Sequence, residues 1–539
     1  MKMKRYLTVL ALAAMLLPGC KDPEVPQPEP DPQEQEDTLK ATLVAPSNLR
    51  VEVPDGKSAT LRWTNESTDY DGVEVQKAGP NGKYRIMGNV PKGILFFDDL
   101  NFTENGEYSY RVCSYKANTY SDYASVSFTI DGVPDPDPQI SIDAVKTAPG
   151  MVMVTYTVSD DCGDQVETGV VWSASSTVPA ELGKDKSLAY GKKLHTFGKG
   201  IGFIFDVSDQ FNFRVYAKTS DGRVGYSDMQ TPTIEPAPEP YSVSYTDVTP
   251  SDVPSEIKVY KASTSVTGRP TNIWYSIADL STGNVVLRTL CPSTNAKTSE
   301  YAKANVAVPY VFTNGGYFGG SSSVSYCLDQ GQKKAENQSS LSRKKTYYVA
   351  RGVFGATSSG EASVTWRFGG TLNGGPHFYD TPFPQVDGWP VLSPSATFPD
   401  EAVDPQYYSA VGGGPVLVKD GKTIINFLME DDVYMANFEL FPDDIFHKTT
   451  RQPRTAIGRT ADGKVVLMVV DGRNSGVSEG VVLTDLARLM RGVGCVDVMN
   501  LDGGGSSVFC AGQDLTILNR PSSNGVERAV LTMVGFAKP

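Results

Sequence analysis

The chain has 539 residues, 40% of them apolar and 21% charged, with a formal net charge of −13. That composition excludes a collagen-like, coiled-coil or wholly disordered chain and leaves material for three to four domains of about 150 residues each. The negative field repels polyanions and argues against a nucleic-acid partner, and three histidines, His195, His377 and His447, do not suffice for a histidine-rich metal centre.

The first residues read as an address. Lys2, Lys4 and Arg5 precede an apolar run from Tyr6 to Leu17, followed by Pro18-Gly19-Cys20. A basic start, a short apolar core and a small residue at the break predict an export signal over 1–19. The run is shorter than the roughly 20 residues that span a bilayer. Leu17-Pro18-Gly19-Cys20 resembles a bacterial lipobox, although Pro18 departs from the usual small residue. The resemblance implies a lipid on Cys20 and an exported outer-membrane or cell-surface lipoprotein. Its membrane contact would be that lipid alone, since no later segment is long and apolar enough to be a transmembrane helix. Residues 20–43 carry Pro23, Pro26, Pro28, Pro30 and Pro32 among many acids, an extended and solvated tether.

Two further breaks of this kind, Pro134 to Pro138 and Glu235 to Pro240, divide the remainder into three folded pieces. The first, 44–131, alternates apolar and polar residues in short runs such as Ala59-Thr60-Leu61-Arg62-Trp63, separated by Gly, Asn and Asp turns. Pro46-Ser47-Asn48-Leu49, Trp63 and Tyr108-Ser109-Tyr110-Arg111-Val112 together resemble a fibronectin type III domain, with Tyr108 as its tyrosine corner. The second, 139–233, has looser strands, Gly169 to Ser173 and Phe213 to Ala217, and reads as a second sandwich. Neither piece clusters catalytic residue types, so both read as spacers.

The third piece, 241–539, holds nearly all the dense glycine motifs. Asp420-Gly421 and Asp462-Gly463 each sit between apolar runs and predict hairpins. Leu486, Leu489, Met490 and Val493 recur at helical spacing, so a helix is expected over 484–493, capped by Thr484 and ended by Gly494. A buried strand, Val496 to Leu501, follows. The expected architecture is multidomain: two all-β sandwiches, then an α+β catalytic domain with a mixed sheet. Among the cysteines, Cys291 with Cys327 and Cys495 with Cys510 are candidate disulfides, and Cys113 and Cys162 are read as free thiols.

Asn500-Leu501-Asp502-Gly503-Gly504-Gly505-Ser506-Ser507 is the sharpest signal. Three glycines at a strand end lose much backbone entropy on folding and make sense where a side chain would obstruct a turn or a ligand. Their N–H groups can also form an anion-binding nest. Gly412-Gly413-Gly414-Pro415 and Asn314-Gly315-Gly316-Tyr317-Phe318-Gly319-Gly320 repeat the theme, Asp471-Gly472-Arg473 ends an apolar strand, and Arg454-Thr455 opens another. Ligand sites favour such strand-end loops on a rigid scaffold.

In this order the five motifs resemble the phosphodiester glycosidase family, over roughly 300–539. The resemblance implies hydrolysis of a sugar-1-phosphodiester at the anomeric carbon, freeing the sugar and a phosphomonoester. A phosphomonoester has a second pKa of about 6, so it departs with little protonation, and the larger need is to neutralise its charge. Arg454 and Arg473 are the candidate phosphate ligands, with Gly503, Gly504 and Gly505 assisting. Asp471 and Asp502 are the candidate base or nucleophile and the sugar or metal ligand, with their order open. Asn314 and Asn500 would bind sugar hydroxyls, and Gly413, Gly414, Thr455 and Ser506 complete the expected substrate-binding set. Glu479 and His447 are a further carboxylate and a further general acid to consider. Asp471 and Asp502 could also hold Ca2+ or Mg2+, although no dense acidic calcium loop is present. Two other functions stay open: a non-catalytic glycan-binding lipoprotein, and a hydrolase of phosphate-bearing wall or capsule polymers.

Overall fold

The computed structural model describes residues 43–134, 136–148, 150–159, 166–189, 198–204, 210–234, 236–343, 345–385, 391–425, 438–441 and 450–539. The expected export signal, Cys20, all but the last residue of the tether, Cys162, His195 and His447 lie outside the described residues. The chain divides into two compact units, with the boundary between Asp135 and Pro136.

The first unit is a sandwich of two antiparallel sheets. One holds Ser47–Glu52, Ala59–Thr64 and Phe96–Asp99; the other holds Gly72–Ala78, Tyr84–Pro91, Gly106–Lys116, Thr119–Tyr120 and Ala124–Ile130. The period-two alternation of Ala59–Thr64 sends Ala59, Leu61 and Trp63 inward, where they meet Val73, Val75, Tyr110 and Val112. The Tyr108 hydroxyl donates to the Glu104 carbonyl four residues back at 3.0 Å, which is the tyrosine corner expected from the sequence.

The second unit begins with another sandwich. Ile140–Ala148, Met151–Val158 and Gly198–Ile204 form one sheet; Val166–Ser173, Lys186–Ala189, Asn212–Thr219 and Val224–Tyr226 form the other. Val154, Tyr156, Phe213 and Val215 lie in its core.

Among the described residues, the rest of this unit is built on antiparallel sheets with two short α-helices. We label the elements that position the site α1 (Thr298–Asn305), β1 (Pro309–Asn314), β2 (Val416–Lys419), β3 (Arg454–Thr460), β4 (Val465–Val470), α2 (Leu483–Gly492), β5 (Cys495–Asn500), β6 (Phe509–Ala511) and β7 (Met533–Ala537). An eight-stranded sheet runs through Thr246–Asp247, Ile257–Val266, Arg269–Ala278, β4, β3, β5, β2 and Lys422–Thr423. A five-stranded sheet contains β7, β1 and β6, and a six-stranded sheet contains Arg351–Ala356 and Ser409–Gly412.

The centre of the eight-stranded sheet, at β3, β4 and β5, is buried on both faces, which is why β4 reads as an unbroken apolar run. Val465, Leu467 and Val469 enter one core with Ile457, Met499 and Phe354; Val466, Met468 and Val470 enter another with Val498 and the apolar face of α2. Leu486, Leu489 and Met490 supply that face, each worth about 1.5–3 kcal/mol on burial. The hairpins at Asp420-Gly421 and Asp462-Gly463 form as expected.

Three expectations change. Among the described residues every ladder between the strands of this region is antiparallel, where a mixed sheet was expected. Parallel neighbours need crossovers of a dozen or more residues, usually helical, and helices are scarce here. Helix α2 starts at Leu483 with Val482 at the cap position and no side-chain cap, so Thr484 lies inside the first turn. Cys495 and Cys510 are free thiols buried in separate cores, because β5 turns Cys495 toward α2 while β6 turns Cys510 toward α1. Cys291 and Cys327 are also free thiols, in mutual contact, and Cys113 is a buried free thiol.

Candidate active site

Antiparallel pairing brings distant motifs to one end of the eight-stranded sheet. Arg454, the first residue of β3, lies opposite Val470, the last of β4, so Asp471 and Arg473 emerge beside it. Ala456 lies opposite Asn500, the last of β5, so Asp502 and its glycines emerge there too. The second sheet joins at the same place: the Asp502 N–H donates to the Gly315 carbonyl just beyond β1, at 3.0 Å.

These ends enclose a cavity of about 190 Å3 lined by Tyr317, Gln452, Arg454, Arg473, Asn500, Leu501, Asp502, Gly503, Gly504, Gly505 and Arg528. Among the described residues, its ionisable lining has one carboxylate, three guanidinium groups and the Tyr317 phenol. Arg454 donates to the carbonyls of Val481 (3.1 Å, from Nε) and Thr450 (3.0 Å, from Nη2). Arg473 Nε donates to Gln452 Oε1 at 2.8 Å. Arg528 lies 5.9 Å from the Phe318 ring centroid. These partners are neutral, so they orient the cations without cancelling them. In a chain of net charge −13, the cavity is a local cationic exception.

Burial pushes the Asp502 carboxyl up to about 6, opposed by the Ser506 hydroxyl, the Gly503 N–H at 2.9 Å from Oδ1, and the charges of Arg528 and Arg473. Burial also lowers Arg454 to about 10, which leaves it protonated at neutral pH. Arg473 holds φ at +59°, a left-handed conformation costing about 1–2 kcal/mol for a residue with a side chain. Such strain persists where the surroundings over-determine it, and it concentrates at functional sites. Gly504 sits beside it at φ +61°, and a Cβ there would fall 2.8 Å from Arg473 Nη2. The middle glycine of the triplet is therefore glycine both for its backbone conformation and for the guanidinium that covers it.

Tyr317 and Asn500 form the opposite wall. Asn500 Nδ2 donates to the Tyr317 hydroxyl (2.7 Å) and to the carbonyls of Gly414 (3.0 Å) and Leu501 (2.8 Å), while the Tyr317 hydroxyl donates to Gly414 at 2.6 Å. Asn500 Oδ1 is buried with no hydrogen-bond partner among the described residues.

Of the residues singled out in the sequence, Arg454, Arg473, Asn500, Asp502 and Gly503 to Gly505 line this cavity, and Asn314, Gly413, Gly414, Thr455, Asp471, Glu479 and Ser506 are not among its lining residues. Asn314 is buried and donates from Nδ2 to the Asp502 carbonyl at 2.5 Å, while its Oδ1 accepts from Thr455 Oγ1 at 2.8 Å and from the Val508 N–H at 3.3 Å. Asn314 and Thr455 thus pin the backbone of the glycine loop. Ser506 lies beside Asp502. Gly413 and Gly414 form a support under Tyr317, and a Cβ at Gly414 would collide with Glu439 Oε2.

Asp471 is 4% exposed and is not among the lining residues; its Oδ1 accepts from Asn519 Nδ2 at 2.8 Å and its Oδ2 from the Arg520 N–H at 3.0 Å. Burial raises its carboxyl to about 6. Glu479 pairs with Arg269 at 3.5 Å, away from the cavity lining. The donor set does not suit the expected Ca2+ or Mg2+: Asp471 has both oxygens committed to N–H donors, Asp502 faces guanidinium groups, and no group of three or more His, Cys, Asp or Glu converges among the described residues.

Tyr317, Gln452 and Arg528 were missed as site residues. Tyr317 stood inside a motif read for its glycines. Gln452 and Arg528 carry no local pattern, and no signal in the sequence singles them out.

Residues 313–537 match the family model for phosphodiester glycosidases. The chain carries a phosphodiester glycosidase domain. The SPbeta prophage-derived uncharacterized protein YomE of Bacillus subtilis (strain 168) is 39% identical over 90 residues, covering 16% of this chain and 13% of that protein's length. Among solved structures, the zebrafish N-acetylglucosamine-1-phosphodiester alpha-N-acetylglucosaminidase catalytic domain is similar at 17% identity and a TM-score of 0.37, covering 56% of this chain and 89% of that one. The FN1–FN3 domains of chicken CNTN1 are similar at 12% identity and a TM-score of 0.25, covering 46% and 81%. The cavity lies within the phosphodiester glycosidase domain, since all of its lining residues fall between Tyr317 and Arg528.

Proposed function

We propose that the phosphodiester glycosidase domain hydrolyses sugar-1-phosphodiesters at the anomeric carbon, releasing the sugar and a phosphomonoester, as part of an exported lipoprotein anchored through Cys20. The observation that carries this reading is the ratio of charges in the cavity: among the described residues, one carboxylate stands against three guanidinium groups. An ordinary glycosidase needs a second carboxyl to protonate a poor leaving group. A phosphate leaving group needs counter-charge instead, and Arg454, Arg473 and Arg528 supply it through planar donors suited to phosphate oxygens.

In this reading the C1–O bond breaks and its electron pair leaves on the phosphate oxygen, where the guanidinium groups stabilise it. The missing side chains of Gly503 to Gly505 let the phosphate approach the backbone closely, while the Gly503 N–H is committed to Asp502 Oδ1 and the Gly504 N–H to the Pro453 carbonyl, so the loop is not the full N–H nest expected from the sequence. Water forms the new bond to C1 and passes its proton to Asp502, which is ionised above about pH 6. Asn500 Oδ1 accepts from a sugar hydroxyl. The lipid anchor is supported by Leu17-Pro18-Gly19-Cys20 and by the acidic, proline-rich residues that follow.

The test is incubation of the purified chain with a panel of sugar-1-phosphodiesters, reading free sugar and phosphomonoester together. The expected result is equimolar release of both, abolished in Asp502→Ala and Arg473→Ala with the thermal melt nearly unchanged. Tight glycan binding without release from any diester would replace this reading with that of a glycan-binding lipoprotein.

A further inference from the structure

The segment Asn519–Arg528 is held at both ends by carboxylates. At its start, Asp471 accepts from the Asn519 side chain and the Arg520 N–H. Asn519 is itself committed to the glycine loop: its Oδ1 accepts from the Phe509 N–H at 2.8 Å, and its Nδ2 reaches the Ser507 carbonyl at 3.3 Å. At its end, Glu527 accepts from the Ser299 N–H at 3.0 Å and from the Ser299 hydroxyl, in the first turn of α1. Between these anchors, Ser522 Oγ donates to the Gly504 carbonyl at 3.1 Å. Arg528, next to the second anchor, enters the cavity, and a Cβ at Gly505 would fall 3.2 Å from its Nη1. The segment therefore forms a strap over the glycine triplet, tied down at each end, with a cation as its working group.

We propose that Asp471 is a positioning residue that acts through this strap, holding Arg528 against the Gly503 to Gly505 wall to receive the substrate phosphate. The proposal rests on the reading of the cavity as a phosphate-ester site. Asp471 is not placed to touch a substrate: each oxygen already accepts an N–H, and the side chain is buried and is not among the residues that line the cavity. The same bonds fix the direction in which the strap leaves Leu518. Glu527 does the equivalent work at the other end, where α1 provides a rigid footing.

The experiment is a double-mutant cycle on the full chain, with steady-state hydrolysis of a sugar-1-phosphodiester and thermal stabilisation by inorganic phosphate as its two readouts. Asp471→Asn should raise KM about tenfold, the loss that accompanies one hydrogen bond to a charged group, with kcat changed far less. Combined with Arg528→Ala, it should cost almost nothing further, because the strap no longer has a cation to deliver. Glu527→Gln should repeat this pattern from the opposite end, which preserves the test if Asp471→Asn fails to fold. The proposal is overturned if Asp471→Asn or Glu527→Gln adds its full effect to Arg528→Ala, or if Asp471→Asn loses kcat at unchanged KM. Phosphate should stabilise the wild type and lose that effect in Asp471→Asn and Arg528→Ala alike. If the wild type cleaves no diester, the functional reading fails while this second readout still judges the strap.

Discussion

Replacing Asp502 by asparagine should destroy turnover and stabilise the protein at the same time. The carboxyl moves from an ordinary 3.8 to about 6 because burial disfavours its ionised form. The folded state thus binds more protons than the unfolded state between about pH 4 and pH 6, and stability falls as pH rises through that window. At about 1.4 kcal/mol per pH unit, a displacement of about two pH units corresponds to roughly 3 kcal/mol of destabilisation, fully present at pH 7.5 and gone near pH 4. That figure is an upper bound on the gain in Asp502→Asn, because the variant also removes a carboxylate that faces three guanidinium groups. At about 2–4 °C per kcal/mol for a domain of 150–250 residues, the melt should rise by a few degrees at pH 7.5 and barely change at pH 4.5. Scanning calorimetry at the two pH values, alongside hydrolysis assays, measures both effects. Equal destabilisation at both pH values, or retained turnover, would refute the claim that a desolvated carboxylate does the chemistry.

The same carboxyl predicts the pH profile: kcat/KM should rise through an apparent pKa of about 6 and then level off, and a profile flat from pH 4.5 to 7 would assign the base elsewhere. Gly504→Ala should cost about 1–2 kcal/mol of stability from its left-handed backbone, and should cut kcat/KM more than tenfold by displacing Arg473, checked by melt and kinetics together. Asp502 acting as a base on water implies direct displacement, so the first-formed sugar should carry inverted anomeric configuration, read by proton NMR within the first turnovers. Cys20→Ser should abolish incorporation of a fatty-acid label and release the protein from the membrane fraction, and unchanged labelling would remove the anchor from the account.

Most of what builds the site was legible because it is local. The glycine triplets, the hairpins at Asp420-Gly421 and Asp462-Gly463, and the apolar run of β4 each state their conformation within a few residues. Trp63 and Tyr108 likewise marked the first sandwich, and Tyr108 makes the expected tyrosine corner, with the Glu104 carbonyl as its acceptor. What stayed hidden is set by pairing across long separations. Asp471 and Asp502 look alike in sequence, each an acid before glycine at a strand end. They differ because Asn519 and Arg520, about 48 residues from Asp471, turn their N–H donors onto it and leave Asp502 facing the cavity. Arg528 had no motif around it, since its place is fixed by Glu527 reaching α1. The proposed Cys495–Cys510 bridge failed for a similar reason: a short spacing does not reveal that the two side chains enter different cores.

Hydrolysis of a sugar-1-phosphodiester in water enriched in oxygen-18, with mass spectrometry of both products, tests most directly where the bond breaks. Guanidinium groups stabilising a departing phosphate predict that the phosphomonoester forms without label and that the new oxygen enters the sugar at C1. Label in the phosphomonoester would mean attack at phosphorus, and the glycosidic chemistry assigned to Asp502, Arg454, Arg473 and Arg528 would be wrong.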